Sequence, residues 1–227
     1  MNVVIGSAFR NSEGYLSRYF HQVCELRECL RPHTLRTIAV EGDSSDQTPT
    51  ALIRQAERVK IDQQIITCGH GKRWFGSVES LERMVALSQV CNAIFSAVAF
   101  RDDVLVYVES DLLWDGSTIR SLIDLATRRE QGFDVFAPMV FAGAVFYDIW
   151  GFRKGGERFT PFPPYHPGLN GGLTEVDSVG SCLVMQAFAA RTCRVRDENC
   201  LVGWCVDARA QGYKIAVHSS YTVKHPV

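Results

Sequence analysis

Glu109 and Asp111 stand one residue apart, directly after the five apolar residues Val104 to Val108. An apolar run that short reads as a strand buried on both faces, as in a parallel sheet. In open α/β sheets ligands bind beyond the carboxyl ends of the strands. Two carboxylates at such an end can both address one hard cation, Mn²⁺ or Mg²⁺. A cation held there can bridge two phosphates and help a nucleotide leave. The plainer alternative is a strand that ends in a solvated acidic turn. Which of the two holds depends on what the other strand ends carry.

They carry polar turns of a similar kind. Val3 to Ser7 reads as a strand that ends in Arg10-Asn11-Ser12, and Asn11 or Ser12 can cap a helix from about Glu13 to Leu30, stopped by Pro32. Leu35 to Val40 is a second strand, followed by Glu41, Asp43 and Asp46 and then a helix to about Val59. A helix N-terminus after such a turn favours an anionic ligand. Ile61 to Thr67 is a third strand, and the loop Gly69 to Gly76 after it offers Lys72 and Arg73 to a diphosphate. A long helix from about Ser77 to Val98 leads to the central strand. This strand-helix alternation predicts a doubly wound parallel sheet.

Beyond Asp111 the reading is a helix from Ser117 to Arg129 and a strand from Val135 to Met139. Next comes a long segment rich in Pro, Gly and aromatic residues from Val145 to Thr174. Long loops of that composition inside a domain are often lids or binding loops, and the stretch near 151–174 is expected to be flexible. A strand from Cys182 to Met185, a helix from Val202 to Gln211 ended by Gly212, and a strand from Lys214 to Val217 complete the chain. With 227 residues, one α/β domain is expected. Residues 1–111 would form its nucleotide-binding half and 112–227 its acceptor-side half.

Composition narrows the function further. The net charge is −1 with both signs interspersed, so no nucleic-acid surface is expected. No run approaches the roughly 18 apolar residues of a membrane span, and no signal peptide is visible. None of the eight cysteines forms a CxxC pair, which argues against a zinc ribbon. A reduced, cytoplasmic location is the expectation. In an oxidising lumen, Cys24 could bridge Cys29, or Cys200 could bridge Cys205.

Taken together, the motifs resemble those of GT-A glycosyltransferases, and more narrowly fungal Golgi α-mannosyltransferases of mannan-polymerase type and the cryptococcal capsule mannosyltransferases. The residues that carry the resemblance run in order along the chain. They are Arg10-Asn11 with Tyr15 to Phe20, Asp43-Ser-Ser-Asp46-Gln-Thr48, Met84 to Asn92 and Val104 to Asp111. They continue with Tyr147-Asp148-Ile-Trp150, Asp177-Ser-Val-Gly180, Gly203-Trp204 through Gly212-Tyr213, and His225.

The resemblance implies a GT-A, Rossmann-like, mostly parallel sheet flanked by helices. It implies Glu109, Asp111 and His225 as ligands of Mn²⁺ (or Mg²⁺), with His218 as the rival histidine. Glu41 or Asp43 would meet the nucleoside and Arg10 the ribose or phosphates, with Asn92 and Ser110 also at the donor. Asp148, Asp177 and Asp207 would lie near the sugar or the acceptor.

Two departures stand out: Glu109 replaces the first Asp of the motif, and Val202 replaces a Glu of the late helix. The implied activity is transfer of a hexose, mannose by the closest resemblance, from a nucleotide sugar to a hydroxyl on a glycan, lipid or protein, with retention at the anomeric carbon. A sugar-nucleotide nucleotidyltransferase is the alternative enzyme, although the single glycine in Val4 to Arg10 counts against it. A non-catalytic nucleotide-sugar-binding module is the third reading.

Overall fold

The computed structural model describes residues 1–71, 75–76, 78–195 and 200–226. The first half alternates β1 (Asn2–Phe9), α1 (Leu16–Leu30), β2 (Thr34–Glu41), α2 (Thr48–Val59), β3 (Asp62–Thr67), α3 (Leu81–Ser96) and β4 (Val104–Val108). After it come α4 (Gly116–Arg128), β5 (Val135–Ala142) and the short strands β6 (Val145–Phe146), β7 (Arg153–Lys154), β8 (Glu157–Arg158) and β9 (Leu173–Glu175). The chain ends with β10 (Cys182–Gln186), α5 (Ala187–Thr192), α6 (Cys200–Ala210) and β11 (Ile215–Lys224).

One sheet runs through both halves in the order β3-β2-β1-β4-β10-β5-β11-β9, with β6 on the end of β5. Side chains alternate across it. Val104, Val106 and Val108 join α1, α2 and α4 in one core, while Leu105 and Tyr107 join α3, α5 and α6 in the other. This burial on both faces is why the β4 sequence is apolar at every position.

The sheet is mostly parallel, as expected, but not wholly so. β10 lies antiparallel between β4 and β5. The cause is the connection: 143–181 turns back at the carboxyl ends of the strands, so β10 must enter the sheet from that side. Cys182 therefore pairs with Val108, and Ser181 accepts the Glu109 amide at 2.8 Å.

The last strand also differs from the sequence reading. It continues to Lys224, with a register break between His218 and Thr222 along β5. Lys224 pairs with Leu113 through both backbone bonds, 2.7 and 2.8 Å, and the His225 amide donates to the Phe141 carbonyl. The segment after Val217 is thus bolted beside the turn after β4. The helix expected from Glu13 starts as a single 3-10 turn and becomes α-helical at Leu16. The helix expected from Ser77 begins at Leu81, capped by Ser80. Gly212 has φ of 89°, as its predicted place after α6 requires. Cys24 and Cys29 are free thiols. Among the described residues, no helix is long and apolar enough to cross a membrane.

The α1–α4 crossing fixes the turn that carries Asp111. A Cβ on Gly116 would lie 2.7 Å from the Leu26 backbone nitrogen and 2.8 Å from the Glu25 carbonyl carbon. Backbone cannot yield as a side-chain tip does. Gly116→Ala is expected to cost about 1–3 kcal/mol in urea unfolding, and an unchanged midpoint would contradict this packing.

Candidate active site

The turn after β4 is held from four sides. Besides the Ser181 contact, Arg18 Nη2 donates to the Asp111 carbonyl at 2.7 Å and Gln22 Nε2 to the Leu112 carbonyl at 3.1 Å. The Ser110 hydroxyl meets the Tyr15 hydroxyl at 3.2 Å, which in turn meets Ser12 at 2.7 Å. These bonds engage backbone and hydroxyls; the Glu109 carboxyl takes a hydrogen bond from the Ser181 side chain, and the Asp111 carboxylate faces His225.

His225 Nε2 lies 3.4 Å from Asp111 Oδ2, and its ring stacks on Tyr147 with centroids 3.9 Å apart. Two cavities meet at this point. The outer one, about 550 Å³, is lined by Phe9, Arg10, Cys68, His70, Glu109, Ser110, Asp111 and His225, among others. The inner one, about 340 Å³, is lined by Met84, Asp148, Trp150, Gly180, Ser181, Leu201 and Val202, among others. Arg83, Leu87, Glu109 and Tyr147 line both.

The electrostatics follow from this crowding. Burial pushes the Glu109 carboxyl up to about 8; the charges of Asp111 and Asp148 add to the rise, and Arg83 and Ser181 oppose it. Burial also pushes Asp148 up to about 6, against hydrogen bonds from Ser181 and the Gly151 amide. Asp148 Oδ2 has no hydrogen-bond partner. The Tyr147 hydroxyl is pushed up to about 12, by burial and then by the nearby acids. Carboxylates crowded this way favour either a shared proton or a cation.

The donor set suits a hard divalent ion: carboxylates from Glu109 and Asp111 with one imidazole. Among the described residues, no three His, Cys, Asp or Glu side chains are grouped so that they could hold a metal ion, and Glu109, Asp111 and His225 are not gathered as such a group here. An ion here would take its remaining ligands from the substrate or from water. His218 lines neither cavity; it pairs along β5 and packs its ring on Tyr221.

Other expected site residues make bonds within the protein. Glu41 Oε1 accepts the Ser44 amide at 3.2 Å, and Asp43 Oδ2 accepts the His70 amide. They brace the β2 and β3 loops, and Gly42 between them lines the outer cavity. Asn92 uses both ends of its amide on the Val195 backbone, at 2.9 Å each. Asp177 accepts the Gly156 amide at 2.7 Å and pairs with Arg209 at 3.1 Å. Asp207 accepts the Arg194 amide at 2.9 Å and Gln211 at 3.1 Å. None of Glu41, Asp43, Asn92, Asp177 or Asp207 lines either cavity. Lys72 and Arg73 lie outside the described residues. Sequence reasoning passed over Arg83, His70 and Ser181, and it quoted Tyr147 in a motif without giving it a role. For Ser181 the signal was position: it directly follows Asp177-Ser-Val-Gly180.

No family model and no curated protein matches the sequence. Solved structures do match. TarS 1–349 of S. aureus with UDP aligns with 100% of this chain and 61% of its own, at 12% identity and a TM-score of 0.64. The mannosyltransferase PcManGT of Pyrobaculum calidifontis, in complex with GDP-Man and Mn²⁺, aligns over 98% of this chain and 56% of its own, at 11% identity and a TM-score of 0.63. The fold is GT-A. Glucosyl-3-phosphoglycerate synthase of Mycobacterium tuberculosis, with Mn²⁺, UDP and phosphoglyceric acid, shares this GT-A architecture at 12% identity and a TM-score of 0.51. The chain spans well under two thirds of the length of the first two. At these identities the likeness is one of fold, so the activity has to be argued from the cavities.

Proposed function

We propose that this chain is a metal-assisted glycosyltransferase that moves a hexose from a nucleoside-diphosphate sugar to a hydroxyl acceptor. One observation carries the reading: two cavities meet at Glu109, with the Asp111–His225 pair on the wall of the outer one, at the carboxyl end of the central strands. The outer cavity suits a nucleoside diphosphate, with Arg10 and His70 beside it. The inner one, with hydrogen-bonding acids and the aromatic Trp150 and Tyr147, suits a sugar ring.

Glu109, Asp111 and His225 would hold Mn²⁺ or Mg²⁺, which when bound supplies charge neutralisation for the leaving diphosphate. Asp148 accepts a hydrogen bond from a sugar hydroxyl through its free Oδ2. Tyr147 holds His225 by stacking. In the transfer, the bond from the anomeric carbon to the phosphate oxygen breaks and its electron pair stays on that oxygen. The acceptor oxygen forms the new bond. Its proton passes to the released phosphate, the route that retention of configuration would use. Mannose is the first donor sugar to try, since PcManGT holds GDP-Man. A second reading has its own observation: Asp148 is a carboxylate on the inner wall with an unpartnered oxygen, which an inverting reaction would use as base.

The test is calorimetry with GDP-mannose, UDP-glucose, UDP-galactose and UDP-GlcNAc, each with Mn²⁺ and with EDTA. Mn²⁺-dependent binding of one donor is expected, and the anomer of its product decides between the two readings. Binding that ignores the metal would remove Glu109 and Asp111 from that role. Failure of a folded protein to bind any of these donors would count against the reading. Gly180 offers a subtler check, because a Cβ there would lie 2.6 and 2.7 Å from the two Asp148 oxygens. Gly180→Ala is expected to lower kcat/KM about tenfold by displacing that carboxylate, with unchanged nucleotide affinity.

A further inference from the structure

Arg83 is, among the described residues, the one cation that lines both cavities. The outer cavity also has Arg10, His70 and His225, but the inner one has Arg83 alone against Glu109 and Asp148. Its position is built. Arg83 lies in the first turn of α3, its backbone amide donating to the Ser80 hydroxyl at 3.4 Å. Its Nη1 donates to the Val78 carbonyl at 3.2 Å, and the guanidinium sits 5.6 Å from the centre of the Trp150 ring. A guanidinium has five N–H donors in a fixed fork, so that one bond anchors it and leaves capacity to spare.

Charge decides how a substrate would lie. Each cavity has two acids, Glu109 with Asp148 in the inner one and Glu109 with Asp111 in the outer one, but the outer one adds Arg10, His70 and His225 to Arg83. The outer cavity therefore suits phosphate, and the inner one suits the hydroxyls of an uncharged ring. A donor threaded through both therefore has its phosphate–sugar bond at the shared wall, where Arg83 stands. Resting on the transferase reading above, we infer that Arg83 binds the phosphate that carries the sugar and stabilises the charge that collects on it as the sugar departs. Arg83 keeps its protons throughout. Its hydrogen bonds strengthen as the bridging oxygen takes the electron pair, which is the condition for lowering a barrier rather than merely binding. A lysine would not serve equally, because the planar fork can hold two phosphate oxygens at once.

The experiment compares UMP, UDP, GMP and GDP, each with excess Mn²⁺, by calorimetry on wild type, Arg83→Gln and Arg83→Lys. In the inferred geometry, Arg83→Gln leaves the matching monophosphate unaffected. It weakens the diphosphate about tenfold to a hundredfold, the range of a lost charge-assisted hydrogen bond. Arg83→Lys recovers part of the loss. Equal weakening of monophosphate and diphosphate would mean that Arg83 only supports the wall, and no weakening would mean that it only neutralises Glu109; either result overturns the inference. If Arg83→Gln melts early, Arg83→Lys carries the comparison, with a selective loss of about threefold to tenfold expected. If wild type binds none of the four nucleotides, the transferase reading itself fails, and the inference with it.

Discussion

Asp111→Ala is expected to abolish Mn²⁺-dependent donor binding and to lower turnover by about 10²–10³-fold, the loss typical of removing one strong stabiliser of developing charge. The variant should still fold. Arg18 and Gln22 hold this turn through the carbonyls of Asp111 and Leu112, and the Asp111 side chain is 36% exposed. Removing it also relieves Glu109 of the largest repulsive charge acting on it, so the melting temperature should hold or rise slightly. His225→Ala should cost less, because it removes one neutral ligand and a ring stack while leaving both carboxylates. Mn²⁺ titrations monitored by calorimetry, with melting curves alongside, separate these effects. If Asp111→Ala bound a donor with undiminished Mn²⁺ dependence, the metal would have to be placed elsewhere.

That Asp111 could be singled out at all shows which parts of the site are local in sequence. The β4 run and its two acids are legible because burial on both faces demands five apolar residues, and solvent returns where they stop. The early strand-helix alternation is legible for the same reason. Strand direction is not: nothing in Cys182 to Gln186 encodes that it runs antiparallel, since direction comes from the 143–181 connection before it. His225 was placed by resemblance alone, because its delivery depends on the Lys224–Leu113 pairing and on a register break far from any motif. Arg83 was missed for a related reason. In sequence it is one charge in the polar first turn of a helix, and only the fold shows that this turn faces two cavities.

The other acids expected at the site are less legible. The carboxylates of Asp177, Asp207, Asp43 and Glu41 each accept a backbone amide, and Asp177 also pairs with Arg209. A carboxylate in a loop is as useful for satisfying unpaired N–H groups as for chemistry. Asp148 differs because Gly151 and Gly180 press their backbones against it and one of its oxygens is left over.

Glu109 provides the strongest pH dependence. Its carboxyl is pushed up to about 8, first by burial and then by Asp111 and Asp148, whereas in the unfolded chain it titrates near 4.5. Between those values the native state holds a proton that the unfolded state has lost. The Glu109 contribution to the stability of the metal-free protein is therefore greatest below 4.5 and declines as pH rises towards 8. Glu109→Gln should flatten that decline, because an amide keeps the neutral form at every pH. Metal binding runs the other way, because a cation must displace the proton. Apparent Mn²⁺ affinity is expected to climb about tenfold between pH 6 and 7 and about fivefold between pH 7 and 8, roughly 50-fold in all, and then level off. Saturating Mn²⁺ should correspondingly raise the melting temperature more at pH 8 than at pH 6. Affinity that stays flat from pH 6 to 8 would show that the ion binds without Glu109, leaving Asp111 and His225 to hold it with the diphosphate.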